Sequence, residues 1–93
     1  MVIGVMSWEL HLNGCRSLKE KRMVLKSLKD RMRTRLNVSV AETDHQDTWQ
    51  RAEMCVVTVA SDHPRAESIL GKADGIVGSD HRVRVIDCAR VFY

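Results

Sequence analysis

A chain of 93 residues with 44% hydrophobic content has room for one hydrophobic core and not for two independent ones, so a single domain over residues 1–93 is expected. Its formal charge of +3 hides an asymmetry. Nine of the fifteen Lys and Arg residues lie between Arg16 and Arg35, against only Glu20 and Asp30, so this stretch carries +7 and the rest −4. An evenly charged surface is thereby excluded, and an anionic partner on one side is favoured. Cys15, Cys55 and Cys88 are odd in number, far apart and without a C-x-x-C pair. That excludes a disulfide framework or zinc knuckle and points to a reducing, cytoplasmic setting.

Along the chain, Val2, Met6, Trp8, Leu10 and Leu12 are apolar at even positions, whereas Ser7, Glu9 and His11 take odd ones. Period two of this kind predicts a half-buried strand, and Glu9 interrupts the apolar run before it could serve as a targeting or membrane-spanning segment. Asn13 and Gly14 break the pattern. Ser17 and Glu20 then form S-x-x-E, a capping box that starts a helix. Leu18, Leu25, Leu28, Met32 and Leu36 recur at steps of seven, three, four and four, one narrow core stripe. Beside it Lys19, Arg22, Lys26, Lys29 and Arg33 form a basic ridge, with Arg31 and Arg35 on the other flank. Lys21 falls near the centre of the apolar stripe, so it either snorkels past the helix end, the favoured reading, or pairs with a buried carboxylate. Asn37 is placed to end this helix.

An outer strand is expected from Val38 to Thr43 and a central one from Ala52 to Ala60, a nearly continuous apolar run. Asp62, His63 and Pro64 introduce a second helix, with Ala66, Ile69, Leu70 and Ala73 on its apolar side and Gly71, Gly75 and Gly78 weakening its later part. Val83, Val85, Ala89 and Val91 predict a final strand, whose alternation the adjacent Val85 and Ile86 disturb as a bulge would. Arg82, Arg84 and Arg90 suit an edge. The order βαββαβ with right-handed crossovers predicts an α+β, ferredoxin-like sandwich: a four-stranded antiparallel sheet with two helices on one face.

Several residue groups invite a functional reading. The ridge Lys19, Arg22, Lys26, Lys29 and Arg33 suits the phosphates of structured RNA, against the alternative of a merely solvated helix. The turn at Gly14, Arg16 and Ser17 feeds a helix N-terminus and is a candidate anion site, although Ser17 and Glu20 compete for its donors. Cys15 beside it lacks a partner base for catalysis. The cluster Asp44, His45, Gln46, Asp47, Trp49 and Arg51 is longer than a tight hairpin requires and is a candidate partner-binding loop. Within it, Asp47 is expected to cap a short helical turn with Gln50 three residues later, and Trp49 to fold back on the core; an exposed Trp49 would instead anchor a partner. His45 with Asp44 and Asp47 offers one nitrogen and two hard oxygens, a thin set for a metal, and an enzyme built on His45, Asp47 and His11 or His63 is the remoter alternative.

No nucleophile elbow, Walker A sequence or H-E-x-x-H pattern occurs, and the third strand lacks the stacking aromatics by which a sheet reads RNA. Gly75-Ile76-Val77-Gly78 reads as a helix exit and not as a KH clamp. Catalytic residues, metals and cofactors are therefore not expected. A membrane role is not expected either, since the apolar stripe is needed for the core and leaves mainly Met23 to insert. A homodimer through the open sheet face, with Ile3, Val5, Cys55, Val57 and Val59, is a further expectation from a different class.

Ser17-Leu18-Lys19-Glu20-Lys21-Arg22, then Asn37-Val38-Ser39-Val40-Ala41-Glu42, then Asp44-His45-Gln46-Asp47 with Trp49-Gln50-Arg51-Ala52, resemble the YlxP-like family, the domain of unknown function numbered 503. The resemblance covers almost the whole chain and is least distinctive in its last third. It implies a ferredoxin-like fold in small bacterial proteins encoded near a ribosome-binding factor and a translation initiation factor, with no established catalysis. It also highlights Lys19, Lys21, Arg22, His45, Asp47 and Trp49. Thr48 stands where such proteins often carry a larger apolar residue.

Overall fold

The computed structural model describes residues 1–93. The first strand, β1 (Val2–Leu12), sends Met6, Trp8, Leu10 and Leu12 into the core and leaves its odd positions half-buried, as alternation requires. Gly4 lies on the same core side because a Cβ there would meet Leu70 Cδ1 at 3.1 Å. The asymmetric turn that follows uses Gly14 at φ 67°, a left-handed conformation that a side chain resists.

The first helix, α1 (Leu18–Arg35), starts at the extended Ser17, whose Oγ accepts the Glu20 N–H at 3.1 Å. The reciprocal arm of the box lands one residue early, with Glu20 Oε2 accepting the Arg16 N–H at 2.8 Å. Leu25, Leu28 and Met32 are buried on the core stripe, and Leu18 and Leu36 are half-buried at its ends. The helix stops at Arg35 with Leu36 as its cap, one residue before the expected Asn37.

Two strands follow, β2 (Ser39–Asp44) and β3 (Arg51–Ala60), then α2 (His63–Gly78) and β4 (Val83–Phe92). Asp62 caps α2 by accepting the Arg65 N–H at 2.9 Å, with Pro64 in the first turn. Gly71 and Gly75 lie within the helix and Gly78 is its last residue, so the weakening expected of them does not end the helix early. All three face solvent, while Ala66, Leu70, Ala73, Ile76 and Val77 on the opposite side hold the helix to the sheet. Tertiary burial overrides intrinsic propensity here.

The sheet is antiparallel in the order β2-β3-β1-β4, the ferredoxin-like arrangement, with seventeen buried side chains in one cluster under the helices. Glu9 pairs with Asp87 and Leu10 with Val85, so Ile86 is the extra residue of a bulge on edge strand β4. Buried polar groups are satisfied in ways that join elements. Trp8 Nε1 donates to Asp74 Oδ1 at 2.9 Å, and Thr58 Oγ1 donates to the Asn37 carbonyl at 2.9 Å. Asp80, nearly fully buried, accepts from Arg31 of α1 at 2.5 Å and from the side chain of Arg82 at 2.6 Å.

Hydrogen bonds from Arg82, then Arg31, hold the Asp80 carboxyl well below the usual carboxylate range. A depressed folded-state value means that the stabilisation is fully present above the unfolded carboxylate value, near 3.9, and is lost as pH falls from there through the lower folded-state value. Asp80→Asn is expected to cost about 1.5–3 kcal/mol at neutral pH. In urea denaturation across a pH series, the gap to wild type should narrow steadily below about pH 4.

Candidate functional site

The outer face of α1 carries the predicted ridge, but its five cations are not equivalent. Lys26 Nζ donates to Asp30 Oδ2 at 2.6 Å, and this bond, assisted by the charges of Lys26, Arg33 and Lys29, holds the Asp30 carboxyl below its ordinary value. Arg33 Nη2 donates to the Val40 carbonyl at 3.0 Å, which fastens its side chain to β2. Lys19, Arg22 and Lys29 have no acidic partner; the first two are exposed and Lys29 is half-buried. The ridge thus holds three uncommitted cations.

Lys21 does not snorkel. It is 1% exposed, and its ammonium donates to the carbonyls of His45 at 2.5 Å and Thr48 at 2.8 Å. Glu42 Oε2 lies 2.8 Å away as an ion pair, held by charge, since no well-aligned hydrogen bond reaches that oxygen. The reason is positional: near the helix N-terminus the side chain points back over the preceding turn, where the β2–β3 loop offers carbonyls closer than solvent.

These bonds shape the loop differently from the expected capped turn. The Thr48 N–H donates to the His45 carbonyl at 3.0 Å, and His45 adopts φ 64° with its N–H on Asp44 Oδ1 at 2.7 Å. Asp47 caps nothing, and both it and Gln46 are exposed. Gln50 is drawn to the other side, its carbonyl accepting the Leu12 N–H at 2.9 Å and its Nε2 donating to the Cys15 carbonyl at 3.3 Å. With both neighbours pinned, Trp49 points outward and is 51% exposed, not folded on the core. His45 Nε2 lies 2.9 Å from Glu9 Oε2, an oxygen shared with Arg51, so the loop also grips β1. The His45 ring faces Glu9, away from a set shared with Asp44 and Asp47.

The candidate anion site is occupied from within. Arg16 donates its N–H to Glu20, and Ser17 Oγ is taken by the Glu20 N–H. Cys15 is buried, its thiol donating to the Ser17 carbonyl at 3.3 Å. On the open sheet face, burial and the neighbouring Glu53 push the Cys55 thiol up. That face is banded. Ile3 opposite Val59, and Val5 between Val57 and Val91, form an apolar end; next come Ser7, Cys55 and Ala89; then Glu53, Glu9 and Asp87 stand side by side across three strands. Of the apolar end, Val59 is 57% exposed.

Glu42, Glu9, Asp74 and Asp80 are structural partners to which the sequence alone assigned no such role. For Glu42 a signal existed, since Lys21 on the apolar stripe demanded an acceptor; the other three depend on strand register and helix placement.

Comparison with known proteins places these features in a wider setting. Residues 3–90 match the model of a family described as a protein of unknown function, DUF503. The uncharacterized protein YlxP of Bacillus subtilis (strain 168) is 36% identical over 78 residues, covering 84% of this chain and 85% of its own. Among solved structures, a de novo designed protein with a ferredoxin fold aligns with a TM-score of 0.54 at 13% identity, over 100% of this chain and 83% of that one. A dimeric ferredoxin-like protein of unknown function from Thermobifida fusca aligns at 0.51 and 12%, over 100% of this chain and 90% of its own. Identities so low speak to the fold alone.

Removing the Lys21 ammonium leaves the Thr48 carbonyl without its donor, the His45 carbonyl with the Thr48 N–H alone, and Glu42 without its counter-charge. Lys21→Met is expected to destabilise by about 3 kcal/mol, the lower end for breaking a buried pair because Glu42 keeps some solvent access. Adding Glu42→Gln to Lys21→Met should recover part of that loss in chemical denaturation, whereas hydrogen exchange in the 44–51 loop should stay fast in both variants.

Proposed function

We propose that this chain, which belongs to the DUF503 family of proteins of unknown function, is a non-catalytic, cytoplasmic accessory factor that binds structured RNA, in the setting of the ribosome or translation. One observation carries the reading: Lys19, Arg22 and Lys29 stand on one rigid helix face without acidic partners. Cations so placed would release the counterions condensed on a phosphate backbone, giving salt-dependent affinity with little sequence preference. The helix behind them is fixed by its capped start, by Arg31 on Asp80 and by Arg33 on β2. The ionisable side chains nearby support a non-catalytic role, because Glu9, His45 and Arg51 bind one another and Cys15 is buried.

Binding to a structured ribosomal RNA fragment, measured by anisotropy across a salt series, tests this. Lys19→Glu, Arg22→Glu and Lys29→Glu combined should weaken binding at least about tenfold at low salt and flatten the log–log salt slope by about two to three. Lys26→Ala should matter less, its charge being already met by Asp30. Affinity that ignores salt, or ignores the triple reversal, would sink the reading.

A second reading rests on the open sheet face, where Ile3, Val5, Val57, Val59 and Val91 form a contiguous apolar end that no helix covers. A second copy packed on it would give a homodimer and leave α1 free for RNA. Sedimentation equilibrium should then show a dimer that Val59→Glu converts to monomer; a strict monomer at high micromolar concentration would remove the idea.

A further inference from the structure

The two tryptophans have opposite fates. Trp8 is 0% exposed with its indole N–H on Asp74, whereas Trp49 is 51% exposed. An indole left in water forgoes the burial that drives large aromatics inside. It is also not a loose side chain on a loose loop. The carbonyl just before it, of Thr48, is held by the buried ammonium of Lys21. The residue just after it, Gln50, is held by Leu12 through its backbone and by Cys15 through its side chain. These anchors lie at the N-terminal end of α1, in the turn leading to it and at the end of β1. Trp49 is therefore presented at the end of the molecule where α1 begins, and Lys19 and Arg22, exposed and unpaired, belong to the first turns of that helix.

An exposed aromatic on a pinned loop, at the same end of the molecule as unpaired cations, matches what unpaired nucleotides require: a flat surface for the base and positive charge for the adjoining phosphates. We propose that Trp49 is a stacking platform for an unpaired base, and that Lys19 and Arg22 hold the phosphates flanking that base. This rests on the RNA reading above and narrows it to single-stranded loops or bulges in preference to continuous duplex. Asp47, exposed and without a cationic partner two residues from Trp49, opposes such a ligand. Glu20 opposes it less, being turned onto the Arg16 N–H.

The test compares an RNA hairpin carrying an unpaired loop with a fully paired duplex of equal length, using wild type, Trp49→Ala, Trp49→Phe and Asp47→Asn. Wild type should prefer the hairpin, and hairpin addition should quench tryptophan emission in wild type but not in Trp49→Phe, where only the enclosed Trp8 emits. Trp49→Ala should lose about 5- to 100-fold in hairpin affinity with duplex affinity unchanged. Its salt slope should also hold, because stacking releases no counterions. Trp49→Phe should retain most of the affinity and Asp47→Asn should tighten it. Thermal midpoints of all variants close to wild type would separate these effects from misfolding, and Trp49→Phe carries the quenching test should Trp49→Ala fold poorly. Equal wild-type binding to both RNAs, unaffected by Trp49→Ala, would overturn the stacking inference while leaving the phosphate ridge standing. Wild type binding neither RNA would overturn both. Loss of binding to a protein partner alone on Trp49→Ala would show a protein anchor and likewise overturn the proposal.

Discussion

An ammonium group removed from water must find acceptors on every side, and the arrangement around Lys21 is organised by that demand. Its Nζ reaches two loop carbonyls and a carboxylate drawn from β2 and the segment after it. Desolvating such a charge costs several kcal/mol, and the cost is met only when the acceptors are held in place. The helix, the end of β2 and the loop therefore order one another. Glu9 adds a second tie by taking the side chains of both His45 and Arg51, so the loop is gripped from the helix side and from the open sheet face at once.

The same economy of charge explains why the basic segment is less basic than its composition suggests. Arg31 serves Asp80, Arg33 serves a β2 carbonyl, Lys26 serves Asp30 and Lys21 is interior. Four of the nine cations between Arg16 and Arg35 are thus already engaged, and of those left over Lys19, Arg22 and Lys29 share one face. Exposed pairs such as Lys26 with Asp30 contribute little to stability, so the arrangement matters more for which charges remain available than for how firmly the helix is held.

Most of the fold was legible because its signals are local. Ser17 and Glu20 mark a helix start within four residues, and the adjacent Val85 and Ile86 reveal a bulge by breaking a two-residue period. Lys21 was legible as an anomaly but not in its resolution, since which carboxylate meets it depends on how β2 lies against α1. Trp49 was misread for a related reason. The spacing of Asp47 and Gln50 allows a capped turn, but the buried ammonium claims the carbonyls of His45 and Thr48 and the Cys15 turn claims Gln50, which expels the indole. Local propensity lost to long-range partners in this loop.

The three glycines of α2 all face water, with open space where each Cβ would be. Gly71 and Gly75, in its interior, each lower the helix's own stability by about 1 kcal/mol relative to alanine, so α2 depends on its docking to the sheet. By contrast β1 and β3 are paired along nearly their whole lengths in the middle of the sheet. Local opening is thus expected to begin at α2, taking the Asp74 acceptor from Trp8 while the central strands stay joined.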